Sequence, residues 1–144
     1  MNPTPSPAPM SVEALNALLE QVGAPWVRAL GMEVLSTGDE RTTLRLPVGP
    51  QVVHGGGVLC GQAMLAAADT AMVLALSAAL GAFRPMTTVQ LQTSFLRPVP
   101  ADTGELRVAC TVLRRGRSLA FGEVEICTAD GRLAAHATTT YALL

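Results

Sequence analysis

The chain has 144 residues, of which 49% are hydrophobic, 15% charged and 3% aromatic, a composition that excludes disorder. Its length suits one domain with a single core, which must be built from Ala, Leu and Val. Ten basic against eleven acidic residues give a net charge of -1, which argues against a general nucleic-acid binder.

Residues 1–10, MNPTPSPAPM, place Pro at 3, 5, 7 and 9 and offer nothing to a core. A flexible tail is expected there, ahead of a single domain over 11–144. The tail has no basic start and no apolar run, so no secretory signal is expected. Ser11 then stands as an N-cap before Val12, Leu15, Leu18, Leu19 and Val22 at helical spacing, with Gly23 and Pro25 as the stop. Residues 32–37 and 41–48 alternate as two strands about the turn Thr37-Gly38-Asp39-Glu40, and Pro47 marks an edge or a strand end. A loop follows, with His54 ahead of Gly55, Gly56 and Gly57.

From Val58 to Phe83 the chain is rich in Ala, Leu and Met, and Asp69 is its only charge. The run is long enough to cross a membrane. An Asp at the centre of a span costs about 2.5–3.5 kcal/mol, however, and the rest of the chain reads as soluble alternating strands. A helix apolar all round is otherwise buried all round, and in so short a chain a sheet must wrap it. Residues 86–97, 104–113, 118–128 and 132–143 supply four further strands, with Arg114–Arg117 and Asp130-Gly131 as turns. The order helix, two strands, long helix, four strands predicts an α+β fold, one antiparallel six-stranded sheet around one helix.

All ten basic residues are Arg. The absence of Lys removes Schiff-base chemistry, a pyridoxal-phosphate anchor and a Walker-type phosphate loop together. Cys60, Cys110 and Cys127 are an odd set without close spacing, read as reduced thiols of a cytoplasmic protein. His54 and His136 are the only histidines and no metal-ligand spacing occurs, so neither metal nor cofactor is expected.

Asp69 is the residue that needs an explanation. A carboxylate inside an apolar helix is expensive unless it is hydrogen-bonded or lines a site. In a site it serves as general base toward water or as nucleophile. Gly61 falls at the start of the same helix, where free N–H groups and the dipole face outward and a missing side chain lets a carbonyl approach. Such an N–H is an oxyanion donor, typically worth about 2.7–4 kcal/mol of transition-state stabilisation. Eight residues of helix separate Gly61 from Asp69 by about 12 Å, too far for one carbonyl carbon to touch both. Two helices antiparallel across a two-fold axis would bring Gly61 of one chain to Asp69 of the other, so a homodimer with two shared sites is expected.

The stretch His54-x-x-Gly57-x-x-Cys60-Gly61-x(7)-Asp69-Thr70-Ala71 resembles the signature of the hotdog-fold acyl-CoA thioesterases of the phenylacetic-acid-degradation type. The resemblance covers residues 25–144. The family pattern is commonly Asn-x-x-Gly-x-x-His-Gly-Gly-x(6)-Asp. Its Asn falls on His54, its His on Cys60, its oxyanion Gly on Gly61, its second Gly on Gln62 and its carboxylate on Asp69. Reading His54-Gly55-Gly56 as the His-Gly-Gly instead would put the carboxylate on Ala63, which cannot carry it. The resemblance implies a hotdog fold and hydrolysis of an acyl-CoA thioester to free acid and coenzyme A, in a homodimer or a dimer of dimers. It also implies that His54 assists at the thioester carbonyl and that Thr88, rather than Thr87, holds the attacking water. Gln62, Arg114, Arg115 and Arg117 are the expected contacts to substrate and coenzyme A phosphates. Cys60, at a helix start, has no His–acid partner placed by spacing. A non-catalytic acyl-CoA-binding module is the alternative, with a hotdog hydratase or dehydratase behind it.

Overall fold

The computed structural model describes residues 3–5, 7–38 and 40–144. Met1, Asn2 and Ser6 of the expected tail and Asp39 of the expected turn lie outside the described residues. Helix α1 spans Val12–Val22, and the Ser11 side chain accepts a bond from the Ala14 N–H at its start. Leu15, Leu18 and Leu19 form its buried stripe. A second short helix, α2 (Pro25–Arg28), follows directly. Helix α1 stops at Gly23 as expected, and Pro25, beyond that stop, also opens the next helix. At the first helical position proline's missing N–H costs nothing and its fixed φ is already helical.

Strands β1 (Glu33–Gly38) and β2 (Arg41–Pro47) form a hairpin, and Pro47 ends its strand against Glu105. After a loop containing a 3-10 turn, helix α3 runs from Gly61 to Leu80 and closes on Gly81 in the left-handed conformation (φ 80°). Strands β3 (Met86–Phe95), β4 (Glu105–Arg115), β5 (Leu119–Cys127) and β6 (Leu133–Leu143) complete one antiparallel sheet, in the order β1-β2-β4-β5-β6-β3. The chain therefore lays α3 across the sheet, adds β3 at the far edge, and returns to fill the middle with β4, β5 and β6.

The inward faces are Leu44 and Leu46 of β2, Leu106, Val108 and Cys110 of β4, Val124 and Ile126 of β5, and Ala135 and Ala137 of β6. They pack on the alanines and methionines of α3, which let helix and sheet approach closely. Gly122 of β5 is part of that fit, because a Cβ there would run into the Met72 sulfur. The outer face is polar, and its cross-strand pairs Arg45–Glu105 (3.4 Å) and His136–Glu123 (2.7 Å) are partly exposed.

The long apolar helix is thus a core helix under a sheet. It is not buried all round: Gln62, Leu65, Asp69, Thr70 and Val73 keep one stripe partly or fully open. The end of the proline-rich stretch rests on its C-terminal end, where the Met10 N–H meets the Ala78 carbonyl at 3.4 Å.

The two edges of the sheet differ. The β1 edge is covered by α1, whose Asn16 side chain accepts from the Val34 N–H (2.8 Å) and donates to its carbonyl (3.2 Å). The β3 edge is open along MTTVQLQTSF, ten residues without a charge or a proline.

Candidate active site

Asp69 sits two turns and a half into α3, on the open stripe, and β3 and β6 complete its surroundings. Thr88 Oγ1 donates to Asp69 Oδ1 at 2.9 Å. Of the two adjacent threonines it is Thr88 that reaches the carboxylate. A bulge between Thr88 and Gln90 locally bends the strand there. Tyr141 of β6 brings a second hydroxyl to the same oxygen, at 2.5 Å, with the Asp69 backbone carbonyl at 3.1 Å. Tyr141 is buried. Burial first, and then its bond to Asp69, push its phenol well above the usual value, so it remains a neutral donor. Among the described residues Oδ2 has no bonding partner and is not sealed from solvent.

Tyr141 was not anticipated. The available signal was a lone aromatic hydroxyl at an inward position of a threonine-rich strand, since a buried Tyr O–H needs a partner.

Two clefts open on Asp69. One, of about 130 Å³, is walled by Leu19, Val22, Val27, Val73 and Leu74. The other, of about 230 Å³, is lined by Trp26, Gln62, Leu65 and Leu91. The short helix α2 stands between them, with Trp26 62% exposed at the rim. Gln62 and Asp69, seven residues apart on one helix face, share the larger cleft.

Gly61 is the first residue of α3, and no side chain caps that end of the helix. Its N–H group is among those that helix geometry leaves without an internal partner. A Cβ at this position would lie 3.2 Å from the Phe95 ring, so glycine keeps the approach open between helix start and ring. A cleft of about 310 Å³ lined by Gly61, Met64, Phe95 and Val99 begins there. Within one protomer Gly61 and Asp69 stay about 12 Å apart along the helix, and the clefts at the two residues are separate.

His54 lies exposed in the loop before α3, which is tied back by Cys60 N–H to Val52 O (2.8 Å). Its Nδ1 accepts from the Gly56 N–H at 2.9 Å. That bond leaves Nε2 as the proton-bearing nitrogen of the neutral ring. Cys60 occupies the N-cap position and its side chain makes no capping bond.

Arg114, Arg115 and Arg117 gather at the other end of α3, around a cleft of about 690 Å³ that also includes Leu80 and Arg84. Strand β4 extends to Arg115, so the turn is shorter than the spacing implied, and Arg115 pairs with Glu40 at 3.2 Å. A protomer by itself holds this basic turn about 30 Å from Gly61, the length of α3.

A family model described as "Thioesterase superfamily" matches residues 51–135. A conserved protein of Pseudomonas aeruginosa has a structure similar to this one with a TM-score of 0.79, at 33% identity over 87% of this chain and 98% of that one. A thioesterase from Haemophilus influenzae is similar at a TM-score of 0.83 and 25% identity, over 94% and 91% of the two chains. The PaaI protein of the phenylacetic acid degradation operon of E. coli shares the fold, at a TM-score of 0.77 and 22% identity over 90% and 91%. With an antiparallel sheet wrapped on one long helix, and the family match running through the loop, α3 and strands β3 to β5, the chain belongs to the thioesterase superfamily, as a hotdog thioester hydrolase.

Proposed function

We propose that the protein hydrolyses an acyl-CoA thioester to a free acid and coenzyme A, at sites shared between two protomers. The observation that carries this reading is the Asp69 carboxylate: one oxygen held by two hydroxyls, the other unpartnered among the described residues, beside apolar clefts.

The acyl group would lie against Leu19, Val27 and Val73. The Gly61 N–H of the facing protomer would meet the thioester carbonyl and stabilise the charge that develops on its oxygen. His54 of that same facing protomer would assist at the carbonyl through Nε2–H. Asp69 has two routes open. As a base it takes a proton from water, whose oxygen adds to the carbonyl carbon. The tetrahedral intermediate then expels the coenzyme A thiolate, which takes up that proton. As a nucleophile it forms a mixed anhydride, releasing coenzyme A, and water cleaves the anhydride in a second step. Thr88 borders both routes from Oδ1. The arginines of the β4–β5 turn supply phosphate partners for the nucleotide end of coenzyme A.

The dimer reading is supported by the β3 edge. Natural sheets blunt long edges with charges, prolines or a covering element, and β3 has none of these. Pairing two such edges antiparallel across a two-fold axis continues the sheet and sets the α3 helices side by side. Three free thiols fit the reducing cytoplasm.

The test is thiol release from a panel of acyl-CoAs by wild type and Asp69→Asn, with ligand binding measured in parallel. Turnover is expected in wild type and a loss of at least about a hundredfold in the variant, with binding retained. Wild-type binding without turnover would instead make the protein an acyl-CoA sensor.

A further inference from the structure

We propose that Tyr141 is a positioning residue for hydrolysis: with Thr88 it holds Oδ1 of Asp69, and so leaves Oδ2 as the oxygen that meets water or substrate. The inference rests on the functional reading above and adds to it the reacting atom and the group that selects it.

The geometry is one-sided. Both hydroxyl donors, Thr88 Oγ1 at 2.9 Å and Tyr141 Oη at 2.5 Å, converge on the same carboxylate oxygen from different strands. An oxygen that already accepts two hydrogen bonds has little lone-pair capacity left for water or substrate. Oδ2 keeps its lone pairs free among the described residues.

Tyr141 is also built to stay in place. Its ring is 2% exposed, so the hydroxyl cannot swing to water. Its oxygen also lies 3.1 Å from the Asp69 carbonyl, so it registers on the backbone of α3 as well as on the side chain. The Tyr141 hydroxyl thereby ties the Asp69 carboxylate to a fixed point beside its own backbone. That supplies the preorganisation a general base or nucleophile needs.

The groups facing Asp69 are few. Thr88 comes from β3 and Tyr141 from β6, while α1 and α2 contribute apolar side chains such as Leu19 and Val27. Cys110 of β4 lies near Tyr141, and none of the ion pairs among the described residues includes Asp69. The two hydroxyls are therefore the chief local stabilisers of its charge.

The test compares wild type, Asp69→Asn and Tyr141→Phe for kcat and KM. Tyr141→Phe is expected to lower kcat by about tenfold or more with KM nearly unchanged, since the carboxylate has lost a donor. Tyr141 is the only tyrosine in the chain, so growth on 3-fluorotyrosine changes this side chain alone and keeps both the buried ring and the hydroxyl donor. That protein is expected to keep kcat within about threefold of wild type. A Thr88→Val/Tyr141→Phe cycle is expected to be non-additive, because both donors serve one atom. A Tyr141→Phe kcat equal to wild type, or a loss that falls on KM instead, with Asp69→Asn inactive, overturns this inference alone. An active Asp69→Asn, or no turnover by wild type, overturns the functional reading and this inference with it.

Discussion

Cys110 lies beneath α3 with its thiol donating to the Met72 sulfur at 3.7 Å, and burial pushes its pKa from 9.0 up to about 12. A folded-state value above the unfolded one means stability that is whole below pH 9 and is lost as pH rises from 9 toward 12. Cys127 is raised in the same direction, by burial first and then by the Glu125 charge, and Tyr141 joins above its ordinary value of 10.0. The chain should therefore soften in mild alkali. Cys110→Val, which keeps an apolar group of similar size, is expected to flatten part of the decline. Urea melts at pH 8, 9.5 and 10.5 check it, and equal losses in variant and wild type would refute the assignment.

The seating of α3 on the sheet depends on a small residue opposite a large one. Gly122 of β5 leaves room for Met72, which is fully buried and also meets Cys110. Gly122→Ala forces the Met72 side chain or the helix to shift, an overpacking expected to cost about 1–3 kcal/mol. Pairing it with Met72→Ala should recover part of that loss, because the two changes share one space. Thermal unfolding of the two singles and the double decides the matter, and strictly additive losses would show that the clash is not the cause. At this scale much was legible. Ser11 as a cap, six strands and the long helix follow from local composition and period. Helix α2 did not, because Pro25 reads as a stop from one side and as a start from the other.

For the whole molecule the proposed dimer rests on the open β3 edge. Lys at Gln90 and at Gln92 would set like charges near each other across a two-fold axis, so Gln90→Lys/Gln92→Lys is expected to yield monomers by analytical ultracentrifugation. A dimer that persists unchanged would place the interface elsewhere. If sites are shared, mixing inactive Gly61→Val and inactive Asp69→Asn should restore about a quarter of wild-type activity, since half the exchanged dimers carry one intact site. No recovery, with subunit exchange demonstrated by mass spectrometry, would put each site within one chain.

The element order and the eight-residue interval from Gly61 to Asp69 were readable from the sequence, because helix and strand periods and caps are set by near neighbours. The family resemblance singled out Thr88 as the holder of water, and the structure hydrogen-bonds its hydroxyl to Asp69. The strand order, the uncovered edge and the Tyr141 hydroxyl on Asp69 were decided by tertiary structure alone. Tyr141 and Asp69 are 72 residues apart, and only the register of β6 beside β3, under a helix laid across the sheet, brings them within bonding distance. Contacts of that range leave no periodic trace in a sequence, because the chain between them carries patterns set by other neighbours.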